Sequence, residues 1–139
     1  MPVNLSFPQS KPVLVKSASV TRSMTAGTDA VFVLPAGAKV LAFILSGTAS
    51  DAGTSATLSV GTTSGTPTEY VNAQSVLAAG AGNGVNVLKG VTGALASKLT
   101  ADKIVYVKYE ESGTASTAGS WTLHVVYTLS SSRTSGVDG

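Results

Sequence analysis

The 139-residue sequence predicts a single all-β domain, an antiparallel β-sandwich or barrel. Apolar residues recur with a period of two in several segments, which is the pattern of half-buried strands. Clusters of Gly, Pro, Ser, Thr and Asp separate these segments at short intervals. About eight short strands at such a spacing are typical of a sandwich or barrel.

The alternation is clearest in the last predicted strand, where every second residue from Trp121 to Leu129 is apolar and most residues between them are polar. The segment 39–45 is apolar on both faces, which predicts a central strand. The segment 104–109 is also largely apolar, so we expect it to be deeply buried or at an interface. The predicted strands are residues 13–20, 30–34, 39–45, 56–60, 69–71, 85–88, 104–109 and 121–129.

Turn residues account for the connections. Pro35 and Gly37 predict a turn, since proline suits its second position and glycine tolerates a positive φ. The strand 56–60 lies between two turn-rich segments and is expected to belong to a hairpin. Asn83-Gly84 predicts a tight turn or a flexible loop. Only residues 73–79 and 92–99 resemble helices; we expect the first to form one turn at most, or a strand and loop.

The two termini differ in composition from the central part. Residues 1–12 contain three prolines, which is incompatible with a central strand and predicts an extended N-terminal arm. Val3, Leu5 and Phe7 alternate along this arm, so one of its sides is apolar. Residues 13–129 are predicted to form the sandwich, and the Ser/Gly-rich residues 130–139 a C-terminal tail that is flexible or ordered by a partner.

Composition excludes several classes of function. The chain has no Cys, which rules out a disulfide framework and thiolate metal sites. Its net charge is +2 and its Lys and Arg residues are dispersed, so no nucleic-acid partner is expected. Its longest apolar stretch, residues 40–45, is too short for a membrane span. The start of the sequence lacks the pattern of a secretory signal.

Candidate chemical groups are few. His124 is the only imidazole and alternates with the apolar face of its strand, so we expect an outward-facing side chain rather than a general base. The segment 61–65 has Thr63 where a nucleophile elbow needs Ser. Glu110 and Glu111 are adjacent and point to opposite faces of a strand. A calcium site built from separate loops stays open, but no catalytic, metal or cofactor residues are predicted.

The aromatic residues favour packing over ligand binding. Trp121 alternates with Leu123 and Val125, which favours a core position over sugar stacking. The four tyrosines are expected at rims or interfaces, where an apolar ring with a polar tip suits a half-wet contact. They are Tyr70, Tyr106, Tyr109 and Tyr127.

The segment 25–61 resembles a pattern found in small structural proteins of tailed phages. A turn leads into a short strand ending Leu34-Pro35-Ala36-Gly37-Ala38, an apolar strand follows, and a Ser/Thr-rich hairpin ends Leu58-Ser59-Val60-Gly61. The later segments Thr117-Ala118-Gly119-Ser120 and Val126-Tyr127 are similar too. The resemblance covers about residues 25–129 and is to the capsid decoration (cement) proteins of tailed phages.

This resemblance implies a jelly-roll-like sandwich and a non-enzymatic virion protein made in the cytoplasm of a bacterial host. It implies attachment to the outer surface of a capsid, where the protein clamps neighbouring subunits of the major capsid protein, with a homotrimer favoured. The arm could add as a strand along a neighbouring subunit or along the shell, or it could cover its own sheet edge. The expected partner-binding residues are Val3, Leu5, Phe7, Pro8, Tyr70 and Tyr109.

Two other functions stay open at this point. The chain could be an attachment domain of a head fibre or tail fibre, although it lacks a long repetitive stalk. It could also be a glycan-binding module, although only 6% of its residues are aromatic.

Overall fold

The computed structural model describes residues 12–77 and 84–129, and within these ranges it has eight strands and one short 3-10 helix at Gly93–Ala96. Among the same residues, no helix is long and apolar enough to cross a lipid bilayer. The strands are β1 Val13–Thr21, β2 Asp29–Leu34, β3 Ala38–Thr48, β4 Ser55–Gly61, β5 Val71–Ser75, β6 Gly84–Gly90, β7 Lys103–Ser112 and β8 Ser120–Leu129.

The strands form two four-stranded sheets in which all neighbours pair antiparallel. The β8 sheet has the order β1-β8-β3-β6, and the β7 sheet has the order β2-β7-β4-β5. This interleaved order of eight strands in two sheets is the topology of a jelly roll. The predicted all-β sandwich of jelly-roll type is therefore confirmed.

The core lies between the two sheets and follows the period-two pattern. On β8, the alternate residues from Trp121 to Tyr127 are buried, and the residues between them are partly exposed. Buried residues of β3 and β7 complete this layer, because both are internal strands of their sheets. The positions predicted for Trp121 and for the central strand 39–45 are confirmed. The largest fully buried side chains include Leu34, Phe43, Leu58, Tyr109 and Leu123.

The predicted strands all occur, with shifts at their ends. The largest difference is in β5, which begins at Val71 rather than at residue 69 and continues to Ser75, into the segment that contains helix formers. Val71 is buried and pairs with Val60 of β4, so packing against the sheet overrides the helix propensity of this short segment. In the second helix-like segment only the 3-10 turn Gly93–Ala96 forms. The described residues do not include the segments 1–11, 78–83 and 130–139. The predictions for residues 1–11 of the arm, for Asn83 in its turn and for the tail therefore lie outside them.

Gly47 allows β3 and β8 to approach each other closely. Its φ is +154°, and a Cβ atom placed there would lie 2.2 Å from the carbonyl oxygen of Ser120. Such a contact is far inside van der Waals distance, and both atoms belong to rigid backbone. The position therefore requires glycine.

We predict that Gly47→Ala lowers the free energy of unfolding by about 2 kcal/mol or more, since the strands must separate to admit the methyl group. Gly90→Ala is the matched control: Gly90 also lies in the β8 sheet, and nothing is within 4 Å of its Cβ position. Urea denaturation of both variants checks this. Equal midpoints for Gly47→Ala and Gly90→Ala would contradict the steric explanation.

Candidate functional site

His124 lies on the outer face of the β8 sheet, as the alternation predicts. It is half-buried and pairs across the ladder with Ser17, whose Oγ lies 2.6 Å from the Nδ1 atom of His124. Within the described residues, no carboxylate is hydrogen-bonded to His124, and no group of three or more His, Cys, Asp or Glu side chains could hold a metal ion. The pair therefore serves as a cross-strand hydrogen bond on a sheet surface.

Asp51 ties the β3–β4 loop to the β7–β8 loop. Its carboxylate accepts hydrogen bonds from the hydroxyl of Thr117 (2.6 Å), the N–H of Thr117 (2.7 Å) and the N–H of Ala118 (2.9 Å). The Thr117 hydroxyl, followed by the two N–H groups, lowers the pKa of Asp51 to about 2. These charge-assisted bonds fix the β7–β8 loop, although the loop itself is largely exposed.

Arg22 and Glu111 hold the same loop from two other directions. The Arg22 guanidinium donates to the carbonyl of Ser116 (2.9 Å) and to that of Thr117 (3.1 Å). Glu111 accepts from the hydroxyl and the N–H of Ser116. The Ser116 hydroxyl and then the Tyr109 hydroxyl lower the pKa of Glu111. The loop is thus bonded at three consecutive residues.

Buried hydroxyl groups extend this network into the core. The Tyr109 hydroxyl donates to Glu111 at 2.7 Å and accepts from Ser50 Oγ, also at 2.7 Å. Ser50 Oγ in turn accepts from the N–H of Ala52 at 3.2 Å. Burial raises the pKa of Tyr109, and the ring packs on Trp121 with centroids 5.4 Å apart. Each buried hydroxyl therefore has partners, and the loops are joined to the sandwich.

A pocket of about 500 Å³ lies beside this network, lined by Thr21, Arg22, Ser23, Gly119 and Ser120. Its lining consists of small polar residues and one guanidinium that is already bonded to two carbonyl groups. The arrangement supplies neither a nucleophile with a base nor a carboxylate pair. The bonds of this guanidinium keep the neighbouring loops in one conformation.

Glu69 has a similar role in the β4–β5 loop. It accepts hydrogen bonds from the N–H of Thr62 and from the hydroxyl of Thr63. Partial burial acts to raise the pKa of Glu69, but the hydrogen bonds, led by that of Thr63, outweigh it and leave the pKa lowered. This carboxylate is therefore also used to order a loop.

The outer face of the β8 sheet changes from polar to apolar along the strands. One cross-strand row contains Ser19, Thr122 and Ser46. The next row is mixed, with Ser17 and His124 on β1 and β8 but Ile44 and Leu88 on β3 and β6. The row after it contains Val15, Val126 and Ala42. We call this surface the outer apolar patch; it consists of Val13, Val15, Ala42, Ile44, Leu88 and Val126.

The outer face of the β7 sheet is mixed in character. Val33 and Ile104 are exposed and pair with each other, next to the partly buried Tyr106. Further along β7, Lys108 and Glu110 form a surface ion pair at 3.4 Å. The two sides of the sandwich therefore present different chemistry to a partner.

Of the six expected partner-binding residues, the structure describes only Tyr70 and Tyr109, and their environments differ. Val3, Leu5, Phe7 and Pro8 lie outside the described residues. Tyr70 is half-buried and packs on Phe43 with ring centroids 4.9 Å apart, and burial raises its pKa.

Tyr109 is fully buried, so its ring is not offered to a partner at the surface. Of the four tyrosines expected at rims, Tyr109 and Tyr127 lie in the core instead. The reason is that both lie on internal strands, two residues after a buried valine. Because every second side chain of a strand points the same way, both rings face the core.

The outer apolar patch did not emerge from the sequence reasoning. Its residues come from four strands. They are brought together only by the pairing of β8 with β1 and β3 and of β3 with β6. A signal did exist, because the predicted strand 39–45 is apolar on both of its faces. Internal strands with two apolar faces indicate that the outer face is also covered.

Comparison with solved structures finds chains from phage capsids. A chain of the cyanophage Pam1 capsid asymmetric unit is 28% identical in sequence, with a TM-score of 0.66; the match covers 91% of this chain and 94% of that one. A chain of the acidic stable capsid of Helicobacter pylori bacteriophage KHP30 is 19% identical, with a TM-score of 0.58 and coverage of 86% and 89%. A chain of the capsid of Ralstonia phage GP4 is 21% identical, with a TM-score of 0.53 and coverage of 91% of each chain.

The last two likenesses concern the fold alone, whereas the first extends to sequence along nearly the whole of both chains. No protein-family model and no curated protein matches the sequence.

The link between Asp51 and Thr117 gives a prediction for pH dependence. Because the pKa of Asp51 is lowered from 3.8 to about 2 on folding, the link is complete above pH 3.8 and is lost as the pH falls through about 2. In Thr117→Val, which lacks the strongest donor, we expect the midpoint of Asp51 to move up toward 3.8. Thr117→Ser keeps the hydroxyl and should restore the low midpoint.

NMR titration of the Asp51 carboxyl carbon measures these midpoints, and the amide signals of Thr117 and Ala118 should follow it. Identical midpoints in the Thr117→Val and Thr117→Ser variants would show that the hydroxyl does not hold the carboxylate.

Proposed function

We propose that this chain is a structural protein of a phage particle that decorates the outer surface of the capsid and clamps neighbouring subunits of the major capsid protein. The observation that carries the proposal is the end-to-end likeness to a chain of the Pam1 capsid asymmetric unit, at 28% identity. The likenesses in fold to chains of two further phage capsids support a virion component. The outer position and the clamping role are the finer part of the proposal.

The site geometry supports a role that needs no reaction. The carboxylates of Asp51, Glu69 and Glu111 all accept hydrogen bonds from loop residues, so their lone pairs are used to order the surface. A protein that works by contact benefits from loops that are ordered before binding, because less conformational entropy is then lost. We therefore propose a non-enzymatic protein.

Repetition on a shell supplies the affinity in this proposal. Each copy makes a moderate contact, and linked contacts raise the effective concentration of the next one. A homotrimer would present three arms at once to the subunits around it. Val3, Leu5, Phe7 and Pro8 of the arm, together with the half-exposed Tyr70, are the proposed contact residues.

The alternative of a glycan-binding module loses its best candidate residue in the structure. Trp121 is 3% exposed and packs on Tyr109, so its ring provides no stacking platform. A fibre attachment domain differs from a decoration protein in copy number rather than in fold. Counting copies on the particle therefore separates these two functions.

The first test counts binding sites on heads that lack this chain, prepared from a phage with the corresponding gene deleted. Purified full-length protein is added to such heads, and bound copies are measured by quantitative mass spectrometry. We expect saturation at hundreds of copies per head, since the contact repeats with the shell subunits. Saturation at about a dozen copies would favour fibres or vertices, and heads that cannot assemble without the chain would contradict a decorating role.

The second test concerns the apolar side of the arm. We predict that replacing Val3, Leu5 and Phe7 together by Ser reduces the copies bound per head at least tenfold, because three apolar contacts are lost from every copy. The matched control replaces Asn4 and Ser6 by Ala, on the other side of the same arm. Unchanged far-UV circular dichroism and thermal unfolding must accompany the loss. Full occupancy by the triple variant would contradict the role of the arm.

A further inference from the structure

We infer that the outer apolar patch of one copy receives Val3, Leu5 and Phe7 from the N-terminal segment of a neighbouring copy. This inference deepens the proposed function, because it names the surface that the arm binds. The copies on a shell would then be linked to one another by exchanged arms.

Several apolar side chains of the outer apolar patch are exposed to water, which is energetically unfavourable. Val15 on the edge strand β1 is 57% exposed, and Leu88 on the opposite edge strand β6 is 68% exposed. Val15 pairs with the half-buried Val126, and Leu88 pairs with the half-buried Ile44. These two apolar pairs are diagonal neighbours across β8 and β3, beside the Ser17–His124 pair. Contiguous exposed apolar surface rimmed by polar residues is characteristic of an interaction site.

The dimensions of the arm match those of the outer apolar patch. In an extended segment every second side chain points the same way, so Val3 and Phe7 are separated by about 13 Å on one side. The patch crosses three strand spacings from β1 to β6, which is about 14 Å. Three apolar side chains on an extended arm can therefore cover the row of Val15, Val126 and Ala42, which ends opposite Gly90 of β6.

Charge complementarity favours the β8 sheet over the β7 sheet as the receiving surface. Residues 2–10 contain no charged side chain, so burial of this segment removes no ion from water. On the β7 sheet, the exposed apolar pair Val33 and Ile104 is smaller, and the same face of β7 carries the ion pair of Lys108 and Glu110. The residues of the outer apolar patch are aliphatic, and the polar groups that adjoin them are the Ser17–His124 pair, Thr128 and, at the edge of the patch, Lys39.

The connection at Pro12 favours a neighbouring copy over the same chain. Val13 already pairs with Thr128 in the ladder, so it cannot serve as a turn residue. Lys11 precedes a proline and is therefore biased toward extended conformations. An extended continuation of β1 would leave the sheet beyond Val13, which is the first residue of the outer apolar patch along that strand. The eleven residues before Pro12 can span about 36 Å, which is enough to reach another copy.

Disulfide trapping tests this inference, since the natural chain has no Cys. Full-length Leu5→Cys is mixed with full-length Val126→Cys on gene-deleted heads, and the mixture is oxidised. We expect a disulfide-linked dimer, because Leu5 is the middle residue of the apolar row and Val126 is central in the patch. A disulfide requires Cα atoms within about 7 Å, so random encounters contribute little.

The matched control is Leu5→Cys mixed with Val33→Cys. Val33 is 52% exposed on the outer face of the β7 sheet and undergoes the same Val→Cys change. Adding Leu88→Asp to the Val126→Cys chain should reduce the linked dimer at least tenfold. Equal yields from the Val126→Cys and Val33→Cys mixtures would overturn the inference.

The chain that carries both Leu5→Cys and Val126→Cys separates the two possible directions of the arm. Exchange between copies gives a ladder of linked oligomers, whereas an arm that covers its own sheet gives an internally closed monomer and contradicts the inference. Occupancy of the heads is recorded in the same experiment. Copies bound to the heads without an intermolecular disulfide would contradict only the arm exchange. Heads without bound copies would contradict the proposed function.

Discussion

The position of β8 between β1 and β3 is the constraint on which the rest of the structure depends. Its ladder with both neighbours fixes the register of the β8 sheet and turns Trp121 and its alternate residues toward the core. The same register aligns Val15, Val126 and Ala42 in a row on the outside. A slip by one residue would exchange the two faces. The packing of the core and the composition of the outer apolar patch are therefore determined together, and neither can change alone.

The second constraint on the structure is the set of hydrogen bonds that polar groups make with the β7–β8 loop. Asp51, Arg22 and Glu111 belong to different parts of the chain, and all three bond to residues 116–118. A carboxylate bound in this way has its lone pairs engaged by donors of the loop, and its lowered pKa makes it a weaker base than a free carboxylate. Among the described residues, these groups thus order the loops, which explains how a surface rich in Ser, Thr and Gly can still present a defined form.

The fold could be predicted from the sequence because its main signal is local. Alternation along β8 and the apolar segment in β3 indicate strands without knowledge of any partner. The candidate surfaces could not be predicted in the same way, because they depend on distant pairs. Asp51 and Thr117 are 66 positions apart, and no local pattern distinguishes Thr117 from the other threonines. Local alternation is enough to turn the Tyr109 ring inward, but it does not predict that the hydroxyl meets Ser50 and Glu111, which stabilise this polar group in the core.

The size of the outer apolar patch limits what a single copy can do. At about 14 Å across the strands and about 13 Å along them, the patch covers on the order of 200 Å². A stable interface between two proteins buries about 800 Å² on each partner. One arm on one patch is therefore too small to hold two copies together in isolation. In the proposed arrangement the copies are held side by side on a common support, so the entropy of association has already been lost and a small contact is sufficient. A body with ordered loops, little reactive chemistry and one modest apolar surface is consequently suited to a lattice of repeated subunits.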